Sequence, residues 1–125
     1  MRSRTLMLLG TLMLGIVALV AQVSRAITVT GTISDTMCAA HHMMKNTSAA
    51  ECTRVCVKKI PGTKNSGYAL VVGNKIYTLK GNAAQLTQLN KYAGQNVTIQ
   101  GKVPVASKGE ITGSMIFISS ISPAS

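Results

Sequence analysis

The chain has 125 residues, with 13 Lys and Arg against 3 Asp and Glu, and a formal net charge of +10 at pH 7. So few acidic residues leave no room for the paired carboxylates of acid–base hydrolases. Neither a glycine-rich phosphate loop nor a serine triad with an acidic partner can be assembled from it, so hydrolase and transferase readings are poor. The basic balance favours anionic partners, such as envelope polymers, lipid head groups or nucleic acid met outside the cell. The lysines are scattered, however, which reads first as the solvated surface of a basic domain.

Residues 1–26 read as a secretory signal peptide. Arg2 and Arg4 open it, and Leu6 to Val20 form an apolar run broken only by Gly10, Thr11 and Gly15. Ser24 and Ala26 are the small residues expected before a cut between Ala26 and Ile27. A run of about 15 residues is short of the roughly 20 that span a bilayer. No cysteine stands at the cut, which argues against a lipid anchor. The expectation is export, to the periplasm or the medium, of a single domain over 27–125.

The domain opens with "ITVTGTI" at 27–33, in which Ile27, Val29 and Ile33 face one way and the threonines the other, the period of a half-buried strand. Asp35 follows Ser34 and is expected to end that strand in a turn. A cysteine-bearing segment occupies about 35–60. "YALVVGNKIYTLK" then reads as a hairpin about Gly73-Asn74. Its register pairs Val72 with Lys75, Leu70 with Tyr77 and Tyr68 with Leu79, placing Tyr68, Leu70, Tyr77 and Leu79 on one core face. Asn82 can cap a short helix with Leu86, Leu89 and Ala93 on its inner stripe and Gly94 as its stop. "NVTIQGKV" alternates again, with Val97, Ile99 and Val103 inward, and "SMIFISSI" closes the set. Gly31 and Gly101 interrupt regular strands, as at the bends where a sheet curls. The expected fold is mainly β with minor α. It is a five-stranded OB-fold-like small barrel, with a Cys/His-bearing helical insertion between strands 1 and 2 and a short helix between strands 3 and 4. A flat sheet packed against helices is the competing architecture.

All three cysteines and both histidines fall within "DTMCAAHHMMKNTSAAECTRVCVKK", residues 35–59. "SAAE" at 48–51 is a capping box, so a helix is expected from Ala49 to about Lys59. Cys52 and Cys56 then share a face with β-carbons about 5–6 Å apart, farther than the roughly 3.5–4.5 Å a disulfide needs. Cys38 becomes the natural partner for one of them.

Three readings compete. In the first, Cys38 bonds Cys52 or Cys56, closing a loop of about 15 residues for roughly 3 kcal/mol of stabilisation, and one thiol is left over. In the second, Cys38, His41, Cys52 and Cys56 form a Cys₃His set for zinc, with His42, Met43 and Met44 as possible extra ligands that would suit copper better. The ordinary alternatives are a polar loop residue for His42 and packing at the barrel mouth for the methionines. The third reading, thiol redox chemistry, is weak because no Cys-x-x-Cys is present. Stacking platforms for single-stranded nucleic acid are also scarce. The aromatics are Tyr68, Tyr77, Tyr92 and Phe117, of which the hairpin register buries the first two, so nucleic acid is not an expected partner.

Across "SDTMCAAHH…ECTRVCVKK…YALVVGNKIYTLKGN…YAGQNVTIQGKV" the chain resembles a group of uncharacterised small exported bacterial proteins. These carry a Ser-Asp-x-x-Cys segment, a His, Cys-Thr-x-x-Cys-Val-Lys and an OB-like strand set. The resemblance covers roughly Gly31 to Ile121 and implies an exported barrel with a cysteine-bearing insertion and no assigned activity. Members often have Gly directly after the first Cys, where this chain has Ala39. The expected function is non-enzymatic. It is binding of a zinc or copper ion in the cell envelope, or else a disulfide-stapled module whose basic surface meets an anionic envelope component or a partner protein.

Overall fold

A computed structural model describes residues 23–42, 44–58, 67–105 and 113–125. Most of the expected signal peptide and Met43 lie outside the described residues. Five strands and two helices follow in the order β1 (Ser24–Asp35), α1 (Ala49–Lys58), β2 (Tyr68–Val72), β3 (Lys75–Lys80), α2 (Ala83–Lys91), β4 (Asn96–Pro104) and β5 (Met115–Pro123). The strands close into a barrel in the order β1-β2-β3-β5-β4, with β4 returning to β1. Every pairing is antiparallel except that of β3 with β5. This is the expected five-stranded OB-like barrel, with α1 inserted between the first two strands and α2 between the third and fourth.

Closure depends on β1 changing partners. Its residues Ser24 to Thr32 pair with Pro104 to Asn96, and Thr32 to Asp35 pair with Val71 to Tyr68. The strand therefore begins three residues before Ile27, and Ser24 to Ala26 pair with Pro104 to Lys102. A side chain at Gly31, where the exchange occurs, would run into the Val71 carbonyl oxygen. Gly101 sits beside an irregularity in the β4–β5 register, and a side chain there would meet the Phe117 carbonyl. Both glycines thus occupy bends of the kind the sequence suggested.

The hairpin register has Val72 opposite Lys75 and Leu70 opposite Tyr77. Ile33, Tyr68, Leu70, Leu79, Leu89, Val97, Ile99, Val103 and Ile116 form the buried core, with Ile27, Val29 and Tyr77 packed against it. Asn82 caps α2 reciprocally with Gln85: the Gln85 amide donates to Asn82 Oδ1 and the Asn82 amide to Gln85 Oε1, both at 2.9 Å. Leu89 and Ala93 are buried as expected, but Leu86 is 40 % exposed. The first turn of α2 overhangs a groove of about 320 Å³ lined by Val57, Tyr68, Leu79 and Lys80, so Leu86 edges that groove instead of filling the core.

Helix α1 is held against the end of α2. Arg54 donates from Nε to the Asn90 carbonyl at 3.0 Å and from Nη2 to the Lys91 carbonyl at 3.4 Å. A cation thereby meets the electronegative end of α2. Tyr68 Oη donates to Asn90 Oδ1 at 3.0 Å, tying β2 to the same corner. Just beyond, Gly94 has φ +75°, and a β-carbon there would lie 2.7 Å from the Ala50 nitrogen. Both the left-handed backbone and the close approach demand glycine.

Gly94→Ala is therefore expected to cost about 1–3 kcal/mol of unfolding free energy. Chemical denaturation would measure this, and a loss below the lower bound would show that α1 does not press on this turn.

Candidate metal centre

The insertion leaves and re-enters the barrel at a pinched neck. The Thr36 amide donates to the Gly67 carbonyl at 2.9 Å, and the Gly67 amide to Thr36 Oγ1 at 3.1 Å. Inside the neck, Asp35 turns the chain as expected. Its Oδ1 accepts from the Met37 amide at 3.0 Å and the Cys38 amide at 2.8 Å, while its carbonyl accepts from the Ala39 amide at 2.9 Å. This is helix-start capping at the end of a strand. Ser34 Oγ donates to the Ala39 carbonyl at 2.6 Å, and the His41 amide to the Cys38 carbonyl at 2.8 Å. The tight turn leaves Ala39 at φ +48°, the left-handed region that favours glycine.

Helix α1 supplies the other sulfurs. Ser48 Oγ accepts from the Glu51 amide at 3.2 Å, so the expected cap sets the helix start. Cys52 and Cys56, one turn apart, face the Asp35 turn. The Sγ atoms of Cys38, Cys52 and Cys56 all lie within 4.8 Å of one another. Cys38 and Cys56 approach to 3.5 Å, far beyond an S–S bond of about 2.05 Å. In a tetrahedral site with Zn–S bonds of about 2.3 Å, sulfurs sit about 3.8 Å apart. The three cysteines could thus hold a metal ion with little movement.

Burial is graded across the trio: Cys52 is fully buried, Cys38 is 6 % exposed and Cys56 is half-buried. The Cys56 thiol is pushed up to about 12 from an ordinary 9.0. Burial is the first cause, followed by its contact with Cys38 and the negative charges of Asp35, Cys38 and Cys52. Thiolates crowd one another here, and a bound cation would reverse that penalty.

Of the other predicted ligands, Met43 lies outside the described residues and the rest are not in the cluster. His41 is exposed and is not among the clustered groups. His42 is exposed at the edge of a depression of about 160 Å³ formed with Thr32, Ser34 and Val71. Met44 is 38 % exposed. The residue that sequence reasoning undervalued is Asp35. It is fully buried, and its Oδ2 has no hydrogen-bond partner among the described residues. The Asp-x-x-Cys spacing was the available signal, because a carboxylate that caps a turn three residues before a thiol stays beside it. Thr53 Oγ1, on α1, is likewise buried without a partner among the described residues.

Comparison with family models, curated proteins and solved structures finds no match for this chain. The reading of the site therefore rests on its own geometry.

Relieving the turn by Ala39→Gly is expected to raise stability by up to about 1 kcal/mol, since the left-handed penalty outweighs the added chain entropy. Thermal unfolding would detect it, and a loss of stability would contradict the strain. The raised Cys56 value has a definite sign. Folded and metal-free, Cys56 holds its proton more tightly than in the unfolded chain, so its contribution to stability is full below about pH 9 and is lost as pH climbs toward about 12. Cys56→Ser should flatten that decline in denaturation curves taken across this window.

Proposed function

We propose that this protein is an exported, non-enzymatic barrel that binds one soft or borderline metal ion, zinc or copper, in the cell envelope. The observation that carries the reading is the mutual approach of three sulfurs within 4.8 Å. Thiolates are ligands for both ions, and helical i, i+4 spacing aims two of them at one point. His41, three residues beyond Cys38 and exposed, is the nearer histidine in sequence and the candidate for a fourth position. The apolar run of Leu6 to Val20 supports export.

A second reading has its own support. The sulfurs of Cys38 and Cys56 lie 3.5 Å apart, and a modest movement would join them as a structural staple. On the barrel surface, Lys80 of β3 and Lys102 of β4 flank Phe117 of β5, which is 50 % exposed. An aromatic between two cations suits an anionic envelope component.

One purification separates the two. Protein isolated from an oxidising compartment without added reductant is expected to carry one stoichiometric ion by elemental analysis. Its intact mass should show no disulfide, and denatured samples should label three thiols. Cys52→Ser should lose the ion while the barrel stays folded. A single disulfide, one labelled thiol and no ion would overturn the metal reading in favour of the stapled module.

A further inference from the structure

We propose that Asp35 shifts the ion preference of the thiol trio toward a divalent ion, Zn²⁺, relative to monovalent Cu⁺; this rests on the metal-binding reading above. Sulfur softness does not separate the two, because thiolate is a good ligand for both. Charge does separate them, and every further anion near the trio widens the difference.

Asp35 is fully buried, and its two oxygens have different fates. Oδ1 is committed to the Met37 and Cys38 amides, which anchors the backbone that carries the first sulfur. Oδ2 is left without a partner among the described residues. A buried carboxylate oxygen with no donor is costly, and the cost falls when a cation stands nearby. The carboxylate sits beside the trio rather than in it: Oδ1 is 2.8 Å from the Cys38 amide, and no carboxylate oxygen joins the three sulfurs within 4.8 Å among the described residues.

With the trio ionised, three thiolates and one carboxylate place four negative charges in a space largely closed to water. Zn²⁺ cancels two of them and Cu⁺ one. The thiolates alone already leave less residual charge with Zn²⁺ than with Cu⁺, and the added carboxylate attracts the divalent ion about twice as strongly as the monovalent one, so Asp35 enlarges that preference through charge rather than through sulfur softness. Asp35 is thus a positioning residue through Oδ1 and a charge-setting residue through Oδ2, and neither role requires a direct bond to the ion.

Asp35→Asn keeps an oxygen for the turn amides and removes the charge. Wild type and variant would be titrated anaerobically, with reductant, with Zn²⁺ and separately with Cu⁺ against a chromophoric chelator. The expected result is a zinc affinity lowered roughly 10–100-fold, the range for losing a partner of the ligands, with a much smaller change for Cu⁺. Equal losses for both ions, or no loss for either, would overturn the inference and leave the metal reading standing. Wild-type protein that binds neither ion would overturn both. If Asp35→Asn does not fold, Asp35→Ser, whose hydroxyl still accepts from the turn, is read in the same way. Failure of both variants to fold with either ion would reduce Asp35 to a turn holder and end the inference.

Discussion

The paired hydrogen bonds from the Met37 and Cys38 amides to Asp35 Oδ1 turn the chain as it leaves β1 and set the position of the first sulfur. Without them Cys38 would continue along the strand direction, away from α1. The carboxylate can serve because it sits at the mouth of the insertion, where β1 has just exchanged β4 for β2 as its partner. The pairing with β2 runs one residue further, to Thr36 and Gly67, and past it the Asp35 side chain satisfies the Met37 and Cys38 amides as the chain turns away. Burial of this residue is thus a condition of the site and not an accident of packing.

The second half of the centre depends on helix docking. A ten-residue helix is marginal alone in water and needs tertiary contacts to persist. Here Arg54 reaches the carbonyls at the end of α2, Gly94 lets Ala50 come close, and Val57 packs on the core. These contacts hold α1 in one orientation. Cys52 and Cys56 are therefore presented by a rigid face, while Cys38 is presented by a rigid turn. Three sulfurs that meet before any ion arrives need little ordering when one binds.

Much of this was readable from residues alone. The alternation of 27–33 and 96–103 gave strands, Gly73-Asn74 fixed the hairpin register, and Ser48 with Glu51, and Asn82, marked the two helix starts. These signals are local, so short-range rules suffice. Cys52 and Cys56 on one helix face, with Cys38 in reach, followed from the same rules. What escaped were quantities set by distant contacts. Leu86 belongs to the right helical stripe, yet its turn overhangs a groove. Phe117 alternates outward on β5, between two lysines that are neighbours only once β3, β4 and β5 are aligned. His41 lies three residues from Cys38, and no spacing rule says that the turn would leave its ring outside the thiol cluster. The open oxygen of Asp35 was hidden for the same reason, because its burial requires the closed barrel and the docked helix together.

The graded exposure of the three sulfurs gives the centre a front and a back. Cys56 stands at the rim and Cys52 at the floor, so a chelator approaching an ion held by the trio would meet Cys56 first. Removal of such an ion would then go by stepwise exchange with the innermost thiol released last, the rim residue governing the rate and the floor the depth of retention.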